Sequence, residues 1–273
     1  MLARLIRLGA IVPALFLLSP GLLIAVGAGN GRMVAEPTRV VAGSTGNTLT
    51  FTFTAVPRAQ VGDLIIDTPV QWSRWQLRDA SGRGFVQFDR GTCAAGTRIA
   101  SIRGRRMLIK TKCRRGAGFS FTYANATAAK LLADGYVFLT QTRPLQKRGQ
   151  PKPRYKPLPE KRQPVVRTLG GPAVELTVSA PGVVTSGVQF TITVRVNDKF
   201  GNPAAGYSKT VTFSSSDPQG TVPPPYTFGA EGASKDLGGV ILKTPGEQRI
   251  RASDGQGLTA VSGPIVVTSP ARP

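Results

Sequence analysis

From Thr48 to Ala55 the chain reads TLTFTFTA, with threonine alternating against Leu49, Phe51 and Phe53. A period of two sends successive side chains to opposite faces, so this stretch predicts a half-buried strand. GDLIIDTPVQW (62–72) supplies a second strand. TRIASIRGRRMLIKTKC (97–113) reads as a hairpin turning at Gly104-Arg105-Arg106. In its second arm Met107, Ile109, Thr111 and Cys113 share one face, while Lys110 and Lys112 point the other way. GFSFTYANA (118–126) and GYVFLTQTR (135–143) continue the pattern, and ATAAKLLA (126–133) allows one or two helical turns.

Strand signals return beyond residue 172 as AVELTVSA, VQFTITVRV, KTVTFSSS, GGVILKT, EQRIRAS and GPIVVTS, spaced by turn clusters. Phe190, Ile192, Val194 and Val196 fall on one face of the second of these, and Val211 and Phe213 face inward from the third. Between them lies NDKFGNPAAG (197–206), whose Asn, Asp, Gly and Pro are turn formers, so it reads as a scaffold corner. Residues 143–167 differ in kind, with nine Lys or Arg, one Glu and six Pro. Proline interrupts helix and sheet and like charges repel, which predicts an extended polyproline-type linker over 143–171. At about 3 Å per residue, the 25 residues of 143–167 would separate the flanking domains by up to about 75 Å. The expected architecture is all-β: an antiparallel sandwich over 36–142, a basic proline-rich linker over 143–171, and a second sandwich over 172–273.

Residues 1–28 predict an address rather than a fold. Arg4 and Arg7 precede a long apolar run that ends in small residues, the arrangement of a signal peptide, or of a membrane anchor if uncleaved. Either places the rest of the chain outside the cytoplasm, where Cys93 and Cys113, the chain's two cysteines, are expected to join as a disulfide. Closing a loop of that length contributes about 3 kcal/mol on the chain-entropy estimate. The chain has no histidine. That removes Ser-His-Asp and Cys-His nucleophile systems and most zinc sites, and no cofactor is implied.

Charge changes the picture most. Thirty-five Lys and Arg against 14 Asp and Glu give +21. By segment, 1–35 carry +3, 36–142 carry +9, 143–171 carry +8 and 172–273 carry +1. The basicity therefore belongs to the first sandwich and the linker. Arg105, Arg106, Lys110, Lys112 and Arg114 on the hairpin, with Lys147, Arg148, Lys152, Arg154 and Lys156 on the linker, are the candidate contacts for an anionic cell-wall or surface polymer. A merely solvated face is the competing reading. Nucleic acid is disfavoured, because single-strand readers interleave aromatic platforms with their basic residues and only Tyr155 interrupts the linker run. A membrane partner enters only through an uncleaved N-terminal segment, and the sequence names no oligomeric state.

Other candidates are weaker. Trp72 and Trp75 would face opposite sides of a continuous strand, leaving one ring exposed to stack on a sugar, unless the chain turns at Ser73-Arg74 and buries both. Asp198, Asn202 and Asp217 could offer oxygens to calcium, but their spacing is not that of a calcium loop, so no metal site is expected. Asp63 and Asp67 share a strand face, as an acid/base pair would, yet no catalytic residue is assigned.

FTITVRVNDKFGNPAAGYSKTVTFSSSDPQGTVPPPYTF, with LKTPGEQRIRASD beyond it, resembles a bacterial immunoglobulin-like repeat of exported surface and adhesin-type proteins, over residues 181–268. VVAGSTGNTLTFTFTA with DTPVQW, residues 40–75, is similar to another bacterial surface-protein β-sandwich repeat. The resemblance implies immunoglobulin-like sandwiches, an envelope setting and no catalytic residue. The expected function is a non-catalytic adhesive or spacer module binding an anionic polymer by salt-sensitive charge pairing, and the alternative is a carbohydrate-binding module using an exposed tryptophan.

Overall fold

Strand alternation becomes burial alternation wherever the period of two was clear. In the computed structural model, which describes residues 29–56, 60–229 and 232–270, strand β3 (Asn47–Thr54) buries Leu49, Phe51 and Phe53 and exposes its threonines. The predicted leader, residues 1–28, lies outside the described residues; no helix among those described is long and apolar enough to cross a membrane. The first sandwich also contains β1 (Arg32–Glu36), β2 (Arg39–Val41), β4 (Val61–Asp67), β5 (Phe85–Asp89), β6 (Arg98–Arg103), β7 (Arg106–Cys113), β8 (Gly118–Ala126), β9 (Ala133–Val137), β10 (Thr140–Pro144), β11 (Lys156–Pro157) and β12 (Val165–Leu169). One sheet runs β1-β3-β8-β5; facing it are β11-β10-β4-β7-β6 and β2-β12-β9.

The core between them is aromatic. Phe51 stacks on Phe121 at 4.9 Å and meets Phe138 and Trp75 edge-on at 5.0 and 5.8 Å. The segment 126–133 forms no helix: after Ala126 it runs as a loop in which Gly43 N donates to Ala129 O (2.7 Å) and Ala128 N to Ser44 O (2.9 Å). Buried Ala128 and Ala129 serve that contact, and tertiary bonds outweigh their helix propensity.

The largest departure from expectation is the basic proline-rich segment. Instead of a strut over 143–171, the chain supplies β10, β11 and β12 to the first sandwich. β10 pairs antiparallel with β4, and β12 lies between β2 (parallel) and β9 (antiparallel). Leu158 and Val166 are fully buried in the aromatic core. Prolines, which have no N–H, break this closing edge into two short pieces rather than unfolding it. Gln163 fills the break: its amide oxygen accepts from Thr140 N (2.8 Å), and its amide nitrogen donates to Thr140 O (3.1 Å) and Leu158 O (2.9 Å). A side chain thus supplies the bonds that the interrupted ladder lacks.

The second unit has its own core, centred on Ile192, Val194, Val196, Val211, Val240 and Ile250. Its strands are β13 (Glu175–Ser179), β14 (Val183–Thr185), β15 (Gln189–Asn197), β16 (Thr210–Ser215), β17 (Tyr226–Thr227), β18 (Ser234–Ile241), β19 (Gly246–Gln248), β20 (Ile250–Ser253), β21 (Thr259–Val261) and β22 (Ile265–Thr268). The sheet β13-β15-β18 faces β17-β16-β20-β21 and β14-β22-β19, an immunoglobulin-like order. Both sandwiches use one device: the first strand pairs antiparallel in one sheet, then its continuation crosses over to pair parallel with the last strand.

Only residues 170–174 separate β12 from β13 of the second unit, and the corner 197–206 locks this junction. Buried Asp198 accepts from Gly171 N (2.9 Å), Phe200 N (2.8 Å), Asn202 N (3.0 Å) and the Asn202 amide. Asn202 donates to Lys130 O (2.8 Å) and accepts from Leu132 N (3.3 Å), both in the first sandwich. The Phe200 ring lies so close over Gly43 that a Cβ there would stand 2.1 Å from it, and one at Gly170 would stand 1.9 Å from Pro203 O. The corner is a scaffold, and what it holds is a neighbouring sandwich.

Two outcomes test this description. Phe51→Ala should lower the first sandwich's stability by about 3–5 kcal/mol, seen as a lower urea midpoint in tryptophan fluorescence; both tryptophans of the chain lie in that core, so the signal reports on this unit. At the junction, burial pushes the Asp198 carboxyl upward, but the bonds from Asn202, Gly171 and Phe200 outweigh it and hold the group below its ordinary 3.8. A depressed native pKa stabilises the docked state fully above the unfolded value and loses that contribution as pH falls below 3.8 through the native one. Small-angle scattering should show Asp198→Ala splayed at neutral pH and the parent chain splaying only in acid. Equal compactness of the two proteins at pH 7 would refute the clamp.

Candidate functional site: a cationic groove

The hairpin forms as its alternation dictates. Met107, Ile109, Thr111 and Cys113 are buried, and Lys110 and Lys112 are exposed. Cys93 and Cys113 are joined as a disulfide, which fastens the loop before β6 to the end of β7. Thr97 and Thr111 hydroxyls bond at 3.1 Å beside it.

Because β10 runs along β4 and the chain after it loops back to pair as β11 with β10, Lys152 of the predicted linker set meets Lys110 and Lys112 of the hairpin set. A groove of about 520 Å³ is lined by Lys110 and Lys112 of β7, Arg98 of β6, Arg143 of β10 and Lys152 of the following loop, with Asp63 as its carboxylate. Arg143 is mostly buried, ion-paired with Asp63, and lies 4.5 Å over the Tyr155 ring. Arg98 and Arg143 stand outside the ten contacts named from the sequence, and strand register brings them to the groove.

The other candidates have different places. Arg105 donates to Pro69 O (2.7 Å) and Trp72 O (2.6 Å), and Arg106 makes a two-bond pair with Asp67 at 2.8 Å each. Both are engaged within the fold. Arg114, Arg148, Arg154 and Lys156 are exposed but do not line the groove, and Lys147 borders a separate depression with Gln60 and Leu145.

Trp72 and Trp75 are 2% and 3% exposed, so neither ring can stack on a sugar. After β4 the chain turns, with Trp72 N donating to Pro69 O at 3.1 Å, and the straight strand that would have exposed one ring does not form. Tyr123, deep in the same core with its hydroxyl donating to Ser73 O (2.6 Å), is pushed up to about 12 by burial.

The carboxylates are likewise accounted for. Asp63 pairs with Arg143 and Asp67 with Arg106. Asp217 accepts from Lys243 N (2.6 Å), Thr244 N (3.0 Å) and the Thr244 hydroxyl (2.6 Å). Burial pushes it upward, but these bonds win and lower it to about 2. Asp198 and Asn202 serve the junction. Among the described residues no three His, Cys, Asp or Glu side chains gather as metal ligands would.

Neither a protein-family model nor a curated protein matches the chain. Among solved structures it is similar to FdeC, an Escherichia coli adhesin, with 17% identity over 90% of this chain and 66% of that one, at a TM-score of 0.27. A type II cohesin dyad of the Acetivibrio cellulolyticus scaffoldin ScaA is 7% identical over 88% of this chain and 97% of that one, at 0.30. The BSP domain of a biofilm-associated protein is 11% identical over 89% and 30%, at 0.23. The chain thus spans less than two thirds of the adhesin. The immunoglobulin-like assignment rests on strand order.

Arg105 separates the structural cations from the free ones. Arg105→Ala should destabilise the first sandwich by about 1–3 kcal/mol, since it leaves the Trp72 carbonyl without its donor and Pro69 O with Trp72 N alone, while retention on an anionic matrix stays near that of the parent. A large loss of retention with unchanged stability would make Arg105 a ligand contact instead.

Proposed function

We propose that this is an exported, non-catalytic protein of the cell envelope, an adhesive or spacer module whose first sandwich holds an anionic wall or surface polymer in the cationic groove. The observation that carries the reading is the convergence of five cations from β6, β7, β10 and the 145–155 loop on one concavity with a single carboxylate. Opposite charges attract a polymer over about a Debye length, ~10 Å at 0.1 M salt, and several weak contacts on one chain multiply. The disulfide supports an oxidising, extracytoplasmic setting, and the leader-like residues 1–28 agree with export. The stacking alternative has lost its exposed rings.

The test is retention of the full mature chain on immobilised polyphosphate along a salt gradient. The parent should elute at moderate salt and Lys110→Ala/Lys112→Ala clearly earlier. Flow-through of the parent at low salt, or identical elution of the double variant, would sink the reading.

A further inference from the structure

Register across the outer sheet of the first sandwich sets four charged residues in one row. Arg143 stands opposite Asp63, Asp63 opposite Lys110, and Lys110 opposite Arg98. Directly opposed residues project from the same face, about 4.5–5.5 Å apart. The row therefore reads plus, minus, plus, plus. Its one carboxylate is engaged by Arg143. Neither Lys110 nor Arg98 takes part in an ion pair among the described residues. Like charges directly opposite each other on neighbouring strands repel. This chain places such a pair inside the cationic groove, with Lys112 two residues along the same face and Lys152 reaching in from the 145–155 loop.

We infer that the gap between Arg98 and Lys110 is a subsite for a phosphate group, whose negative charge would complete the alternation of the row. This rests on the polymer-binding reading and names its ligand chemistry. A tetrahedral phosphate presents oxygens to donors on two sides at once. An arginine fork and lysine ammonium groups both suit it, and such charge-assisted bonds are the strong ones. The groove lining includes no Trp, Tyr or Phe, so it provides no platform for a base or a sugar ring. Tyr155, the nearby aromatic, has its ring covered by the Arg143 guanidinium. Recognition is then by charge and oxygen geometry, which fits a phosphate-bearing polymer.

The repulsion gives the subsite a signature that a structural role would not share. Arg98→Gln removes one of two opposed cations, so it should leave thermal stability unchanged or raised at low salt while weakening phosphate binding. Titration calorimetry on the full mature chain would use orthophosphate, tripolyphosphate, long-chain polyphosphate and poly-glutamate as probes. Arg154→Gln serves as an equal loss of charge outside the groove. The expected result is binding of tri- and polyphosphate, weakened about tenfold by Arg98→Gln and by Lys110→Gln, and less than twofold by Arg154→Gln. Poly-glutamate should bind at least tenfold more weakly than polyphosphate. Orthophosphate binding that shows the same variant pattern would mark a free anion as ligand in its own right, and tri- or polyphosphate binding alone would mark a polymer. Equal losses for Arg98→Gln and Arg154→Gln would overturn the subsite and leave the polymer reading standing, as would equal binding of poly-glutamate. No binding of any polyanion by the parent would overturn both.

Discussion

Closure of the first sandwich by β12 is the constraint from which the rest follows. β2 and β9 each leave one edge open, and β12 lies between them, parallel to one and antiparallel to the other. Placing a strand there obliges the preceding residues to travel back along β10 and β4. β10 sets Arg143 against Asp63 on the way out, and the loop that returns as β11 carries Lys152 to the groove. β12 also ends the sandwich at Leu169, so Gly170 and Gly171 emerge directly beneath the 197–206 corner. Burial of Leu158 and Val166 supplies the driving force. At about 25 cal/mol per Å² of apolar surface, two such side chains outweigh the mutual repulsion of solvated surface cations.

Where one face is buried, the sequence shows the strands plainly. TLTFTFTA, the second arm of the hairpin and VQFTITVRV each carry a period of two that hydrophobic burial enforces, and the structure follows it. The disulfide was legible from compartment and count. The closing strands of the first sandwich were hidden because their signal is short and mixed. Val166 and Thr168 face inward between exposed Arg167 and Leu169, set among prolines and basic residues that suggest an open chain. What such a reading misses is that Gln163 can stand in for missing backbone donors. Of the two places the sequence allows Trp72 and Trp75, burial of both is the one found, for a related reason: period two holds only while the strand continues, and Thr68-Pro69 ends it.

The groove was half legible. Lys110 and Lys112 could be assigned to the outer face of β7 from alternation alone. Their neighbours could not, since register between strands depends on bulges, such as those between Val61 and Asp63 and between Ile99 and Ser101. A one-residue slip would move every side chain to the other face. Arg98, Asp63 and Arg143 enter the site only through that register.

The junction has a direction that the two sandwiches' shared framework makes visible. In the first, Ala42 N donates to Leu169 O and Gly43 N to Ala129 O; in the second, Ser186 N donates to Thr268 O and Gly187 N to Leu242 O. The ends of the two units are thus built alike. The corner, however, also needs the N–H groups of Gly171 and Leu132, two residues past Leu169 and three past Ala129. The corresponding positions two past Thr268 and three past Leu242 are Pro270 and Pro245, which have no N–H. A corner of this kind seated there would leave a buried carboxylate and an amide oxygen each short of a donor, about 1–3 kcal/mol apiece. The docking chemistry therefore belongs to one end of one sandwich, and it fixes how the groove-bearing unit is held relative to the other.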